Sequence, residues 1–122
     1  MRDLEDRGAK TIVLAGLSNG AVGASLLAPR LRGRIAGLVL ISGASPLAAE
    51  PGVPVLALQG AVDAQIPAYV VHAYASRVGA RYVSLDAGHF ALLLREDEAR
   101  TAITSFLRER SSEGRVARRG LR

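Results

Sequence analysis

A β-branched apolar run, Ile12-Val13-Leu14-Ala15, leads straight into Gly16-Leu17-Ser18-Asn19-Gly20, and a run of small residues with a helical pattern, Ala21 to Leu27, leads out. A segment that must be extended, joined without a linker to one that must be helical, forces a sharp turn at Ser18. G-x-S-x-G carries meaning only in this strand–turn–helix setting, where the turn lifts the serine hydroxyl off the top of a sheet towards solvent. Both flanking glycines are expected to be needed, because a β-carbon at either position would clash in so tight a bend. Ser18 would then stand at a helix N-terminus, where free backbone N–H groups favour a developing negative charge. Such a turn predicts two further residues in order: an acid after a later strand and a histidine after the last one. Asp63 and His89 meet both requirements.

The rest of the chain alternates strands with helices. A helix over 2–8 ended by Gly8, a strand Thr11–Ala15, a helix Asn19–Ala28 closed near Pro29 and a strand Ile35–Ile41 come first. A loop Ser42–Gly52, a strand Val53–Gln59 and a loop Gly60–Ile66 follow, then a helix opened by Pro67 and running to Val78, and a strand Arg81–Leu85. A final helix spans Leu93–Arg108, with Glu96, Asp97 and Glu98 in its first turns and Arg108 and Arg110 near its end, as the helix dipole prefers. This pattern predicts an α/β fold of about four parallel strands joined by right-handed crossovers. Active residues of such sheets lie beyond the carboxyl ends of the strands, and Ser18, Asp63 and His89 each follow the end of a different strand.

At 122 residues the chain reads as one domain over 1–110, with a basic tail over 111–122 expected to be disordered. The net charge of +5 is concentrated there: Arg115, Arg118, Arg119 and Arg122 against Glu113 leave only +2 for residues 1–110. A solvated charged end is the ordinary reading of such a run. Aromatic residues make up 4% of the chain, which argues against a base-stacking nucleic-acid surface. The absence of cysteine excludes disulfides, thiolate metal sites and a cysteine nucleophile. No metal or cofactor is expected, since the two histidines and scattered carboxylates show no ligand spacing. The charged start, Met-Arg-Asp-Leu-Glu-Asp-Arg, has no apolar core of a secretory signal, and no apolar run approaches membrane-spanning length. A cytoplasmic location is the expectation.

A serine hydroxyl needs a base within hydrogen-bond reach to become a nucleophile. His89 is the candidate base, and Asp63 the candidate partner for its other ring nitrogen, fixing the tautomer and stabilising the imidazolium. Asp86, three residues before His89, and Glu50, in the loop after the second strand, are rival acids; His72 falls mid-helix on a surface face.

Three segments carry a resemblance: Gly16-Leu17-Ser18-Asn19-Gly20, Gln59-Gly60-Ala61-Val62-Asp63-Ala64-Gln65-Ile66-Pro67 and Asp86-Ala87-Gly88-His89-Phe90. Together they resemble the signature segments of the α/β-hydrolase superfamily, close to small serine esterases and dienelactone-hydrolase-like proteins. Gln59 stands where the family's His-Gly-x-x-Asp stretch has its histidine, and Ser18 departs from the cysteine of dienelactone hydrolases proper. The resemblance covers residues 2–109. It implies Ser18 as nucleophile, Asp63 as acid, His89 as base, the Asn19 backbone N–H as an oxyanion donor, and a small-molecule ester as substrate. It also implies a truncated version of the fold, because the family's N-terminal strands, one of which supplies a second oxyanion donor, have no counterpart. The Thr11–Ala15 strand would then be an uncovered apolar edge, which predicts pairing with a second copy. Two functions follow as expectations: a serine hydrolase working through an acyl-enzyme, or an inactive remnant of one serving as a binding or dimerising module or arising from a partial reading frame.

Overall fold

The computed structural model describes the backbone of residues 11–120 and the side chains of residues 11–111. The helix expected over 2–8 lies outside the described residues. Four strands, β1 (Val13–Leu17), β2 (Gly37–Ile41), β3 (Val55–Gly60) and β4 (Arg81–Leu85), form one sheet in the order β1-β2-β3-β4, every pair parallel. The helices are α1 (Asn19–Leu31), α2 (Ala68–Val78), a short α3 (Ala91–Leu94) and α4 (Glu96–Gly120).

β2 and β3 are buried along their whole length and read as apolar runs, interrupted only by Gln59 near the end of β3, as strands covered on both faces do. Their side chains alternate between two cores. Leu38, Leu40, Val55 and Ala57 pack with α1 and α2, where Ala21, Ala24 and Ala28 let α1 approach the sheet closely and Tyr74 fills the space beneath α2. Val39, Ile41, Leu56 and Leu58 pack on the opposite face, against Ala91, Ala99 and Phe106 of α3 and α4. The β2–β3 crossover has no helix. Its loop lays Ala44 and Ala48 on the first core and is tied to α2 by the Arg77 guanidinium, which donates to the Ala48 carbonyl at 2.7 Å.

Several boundaries differ from the sequence expectation. β1 lies two residues later than Thr11–Ala15, because pairing with β2 persists to Leu17↔Ile41 and then continues with the Ser18 N–H donating to the Ile41 carbonyl at 2.8 Å. α1 passes through Pro29 to Leu31: the proline lacks an N–H for the Ser25 carbonyl, yet Ala28 and Leu31 on either side still pack on the core. The helix expected over Leu93–Arg108 begins earlier and is divided at Arg95, which leaves helical geometry. The Arg95 Nε donates to the Asp86 carbonyl at 2.9 Å. No glycine or proline marks that break. At its far end α4 does not give way at Arg108 or Ser111. Helical backbone runs to Gly120, and no proline follows Arg108 to stop it.

Candidate active site

All four strands end on the same side, and the residues that follow them converge. At the end of β1, Ser18 sits at φ 57°, ψ −120°, a conformation that costs of order 1–3 kcal/mol for a residue with a β-carbon. The surroundings over-determine it. Its N–H is held by the Ile41 carbonyl, and its own carbonyl accepts the N–H groups of Ala21 (2.9 Å) and Val22 (3.1 Å) in the first turn of α1. The N–H groups of Asn19 and Gly20, which directly follow Ser18 at the helix start, have no intrahelical acceptor. The two glycines of the motif are not equivalent, contrary to expectation. A β-carbon on Gly16 would lie 2.3 Å from the Gly20 carbonyl oxygen, whereas one on Gly20 meets nothing within 4 Å. Only the residue entering the bend faces the chain that leaves it.

At the end of β4, His89 brings Nε2 to 2.7 Å from the Ser18 Oγ and Nδ1 to 2.7 Å from Asp63 Oδ2. Asp63, in the loop after β3, has a fully buried side chain, and that of His89 is 9% exposed. Burial alone pushes the Asp63 carboxyl up, but hydrogen bonds from the Ile66 N–H, the His89 ring and the Gln65 N–H, together with the field of His89, more than reverse this and hold it below its ordinary value. The two backbone N–H groups reach Oδ1 at 2.9 and 2.8 Å. An ionised carboxylate only accepts, so the proton shared with Asp63 belongs to Nδ1, leaving Nε2 free to accept from the Ser18 hydroxyl. A hydroxyl, an imidazole and an ionised carboxylate thus stand in one hydrogen-bonded line.

The approach of the last two loops depends on Gly60, where a β-carbon would lie 2.1 Å from the Gly88 carbonyl oxygen. Two further side chains support the site and were not singled out for it from the sequence. Gln59, fully buried, donates from Nε2 to Asp63 Oδ2 (3.1 Å) and to the Ile66 carbonyl (3.0 Å), bracing the acid and closing its loop. Ser42, fully buried at the end of β2 with φ 60°, donates from Oγ to the His89 carbonyl at 2.9 Å. The only sequence signal for Gln59 was its place where the resembled family has histidine; Ser42 gave none.

The rival residues lie elsewhere. Asp86 is almost fully exposed, with Arg95 at 3.7 Å. Glu50 is exposed, and His72 is exposed on α2 with its ring edge-on to Tyr82. Among the described residues no three His, Cys, Asp or Glu side chains gather to hold a metal ion, and no helix is long and apolar enough to cross a membrane. Over Ser18 and His89 opens a pocket of about 330 Å³ lined also by Leu17, Phe90, Leu92, Leu93 and Gln65. The Phe90 ring meets His89 edge-on at 5.6 Å between centroids.

No protein-family model and no curated protein matches the chain. Solved structures do. A hydrolase from Pseudomonas aeruginosa PA01 superposes with a TM-score of 0.70 at 20% identity, over 87% of this chain and 68% of that one. The enol-lactonase from Burkholderia xenovorans LB400 gives 0.73 at 18%, over 85% and 68%. A protein from Xanthomonas campestris pv. campestris placed in the α/β hydrolase superfamily gives 0.62 at 31%, over 88% and 64%. The chain thus spans about two thirds of the length of these relatives, and 55% of a predicted CIB-like hydrolase from Thermoplasma acidophilum. With its parallel sheet, its flanking helices and this coverage, the chain has the α/β-hydrolase fold in part.

Proposed function

We propose that the chain is a serine hydrolase of carboxylic esters, with Ser18 as nucleophile, His89 as general base and then acid, Asp63 as the anion behind it and the Asn19 N–H as an oxyanion donor. The observation that carries this reading is the unbroken pair of 2.7 Å contacts from Ser18 through His89 to Asp63. Ser18 Oγ attacks the ester carbonyl carbon as its proton passes to His89 Nε2, and the carbonyl oxygen takes the negative charge beside the Asn19 N–H. The C–O bond to the alcohol then breaks, and the alcohol leaves with the proton from Nε2. Water, deprotonated by His89, attacks the acyl-serine, and the carboxylic acid departs as Ser18 regains its proton. One oxyanion donor of this kind is worth about 2.7–4 kcal/mol in the transition state.

The test is turnover of p-nitrophenyl acetate and labelling by a fluorophosphonate. Both are expected, and both are expected to fall by at least ~10⁴-fold in Ser18→Ala. Equal rates in the two proteins would refute the reading.

One observation favours a second reading, a pairing module. Among the described residues no strand pairs with the outer edge of β1, Ala15 is exposed there and Leu17 is 52% exposed. An apolar open edge is a template for another strand. A dimer in light scattering that Ala15→Lys dissociates is the expected signature, and a monomer at all concentrations excludes it.

A further inference from the structure

Resting on the ester-hydrolase reading, we infer that the half of the substrate lying beside Ser18 is a short, uncharged, apolar group seated against Leu17, Phe90 and Leu93. Three observations carry this. The pocket opens directly onto the Ser18 hydroxyl and His89, so whatever fills it is attached to the reacting carbonyl. Its walls are hydrocarbon: Leu17 comes from the residue before the nucleophile, and Phe90, Leu92 and Leu93 from the segment after the base. Leu17, Phe90 and Leu93 are 52%, 62% and 75% exposed, so a ligand that covers them removes apolar surface from water without stripping a charge of its hydration. Finally, among the described residues no Lys, Arg, Asp or Glu lines the pocket, and the Gln65 amide is the one polar side chain there besides Ser18 and His89. A carboxylate or ammonium carried into it would lose water and find no counter-charge.

The volume, about 330 Å³, lies at the low end of small-molecule sites, which span about 300–1,000 Å³. A short chain fills it. While filling continues, each added methylene contributes about 0.8 kcal/mol, close to fourfold in kcat/KM. The acyl and the alcohol halves offer the same chemistry, and two substrate series separate them.

In one series, p-nitrophenyl acetate, butyrate and hexanoate vary the acyl half; in the other, ethyl, butyl and hexyl acetate vary the alcohol. The expected result is a rise of about fourfold per methylene in one of the two series. In the series that rises, the acid-bearing counterpart should be at least ten times poorer: mono-p-nitrophenyl succinate than the butyrate, or 4-acetoxybutanoate than butyl acetate. Phe90→Ser combined with Leu93→Ser should reduce the slope to under twofold per methylene, and Leu93→Lys should raise the turnover of that acid-bearing ester relative to its apolar counterpart. A flat profile in both series, or equal turnover of the acid-bearing ester and its apolar counterpart in the series that rises, overturns the inference.

Binding to the Ser18→Ala protein tests the pocket apart from catalysis. Hexanamide should shift the NMR signals of the Leu17, Leu92 and Leu93 methyl groups, and succinamic acid should not. If no ester is hydrolysed but hexanamide binds there, the hydrolase reading fails and the apolar pocket stands. If neither compound shifts these methyls, the pocket assignment fails whatever the ester rates are.

Discussion

Ser18 and His89 meet at 2.7 Å, but they arrive there by different means. The bend that carries Ser18 is held by main chain alone: the N–H to Ile41, the carbonyl shared by Ala21 and Val22, and the absence of a side chain on Gly16. The loops that carry Asp63 and His89 also meet main chain to main chain at Gly60, but they are braced in addition by buried side chains from strand ends, Gln59 beside Asp63 and Ser42 beside His89. A backbone device tolerates almost nothing at its closest approach and is indifferent nearby. A side-chain device fails in graded steps, because each hydrogen bond contributes separately. The contrast predicts an order of mutational effects across the site.

The largest should come from the closest backbone approaches. Gly16→Ala places a methyl 2.3 Å from the Gly20 oxygen, and Gly60→Ala places one 2.1 Å from the Gly88 oxygen. Backbone on both sides has no rotamer by which to yield, so each change should cost about 3 kcal/mol in urea unfolding, at the upper end for overpacking, and abolish ester turnover. Gly20→Ala sharpens the comparison. Its β-carbon meets nothing within 4 Å and it lies inside α1, so the variant should be neutral or gain up to ~1 kcal/mol from helix propensity. If Gly20→Ala were as damaging as Gly16→Ala, the bend would not be the steric device described.

Next in size should be Gln59→Leu. A hydrogen bond to an ionised group contributes about 1.5–3 kcal/mol. Its loss leaves Asp63 Oδ2 with the His89 bond and opens the Ile66 tether. We expect kcat to fall about 10- to 100-fold with KM little changed, since Gln59 braces Asp63 and does not line the pocket over Ser18 and His89. A change confined to KM would contradict that role. Ser42→Ala removes one neutral hydrogen bond to the His89 carbonyl and should cost about 1 kcal/mol, near fivefold in kcat. Ser42→Gly removes the same bond while relieving φ 60°, so it should be more stable than Ser42→Ala but no more active.

The same contrast explains what could be read from the chain. Parallel strands, their number and the strand-end positions of Ser18, Asp63 and His89 follow from apolar runs and turn residues, which are local properties. The entry into the bend was equally legible, because Gly16 clashes with a residue four positions away. Gln59 acts on its own loop, but its action depends on burial, which spacing does not reveal. Ser42 was invisible because its partner, His89, is 47 residues distant and the contact exists only once β2 and β4 are in one sheet. The extension of β1 to Leu17 has the same origin: it is fixed by register with β2 and not by anything in β1. The break at Arg95, with no glycine or proline to announce it, depends on the Asp86 carbonyl, again a tertiary partner.

The smallest expected effect concerns acid. The Asp63 carboxyl is held below its ordinary value in the folded chain, because donated hydrogen bonds outweigh burial, and it returns to the ordinary value, about 3.9, on unfolding. A carboxyl depressed by folding adds stability that is fully present above the unfolded value and disappears as pH falls through the folded one. The wild-type chain should therefore lose this increment as pH falls from about 5 through the lower, folded value of the carboxyl, and Asp63→Asn, which has no carboxyl to protonate, should not. Urea unfolding of the two proteins at stepped pH values measures the difference, and the gap between them should narrow steadily as the solution is acidified. A gap that widened would mean the carboxyl is held protonated by its burial, with the donors from Ile66, Gln65 and His89 too weak to reverse it. The loops would then converge for some other reason than the charge at their centre.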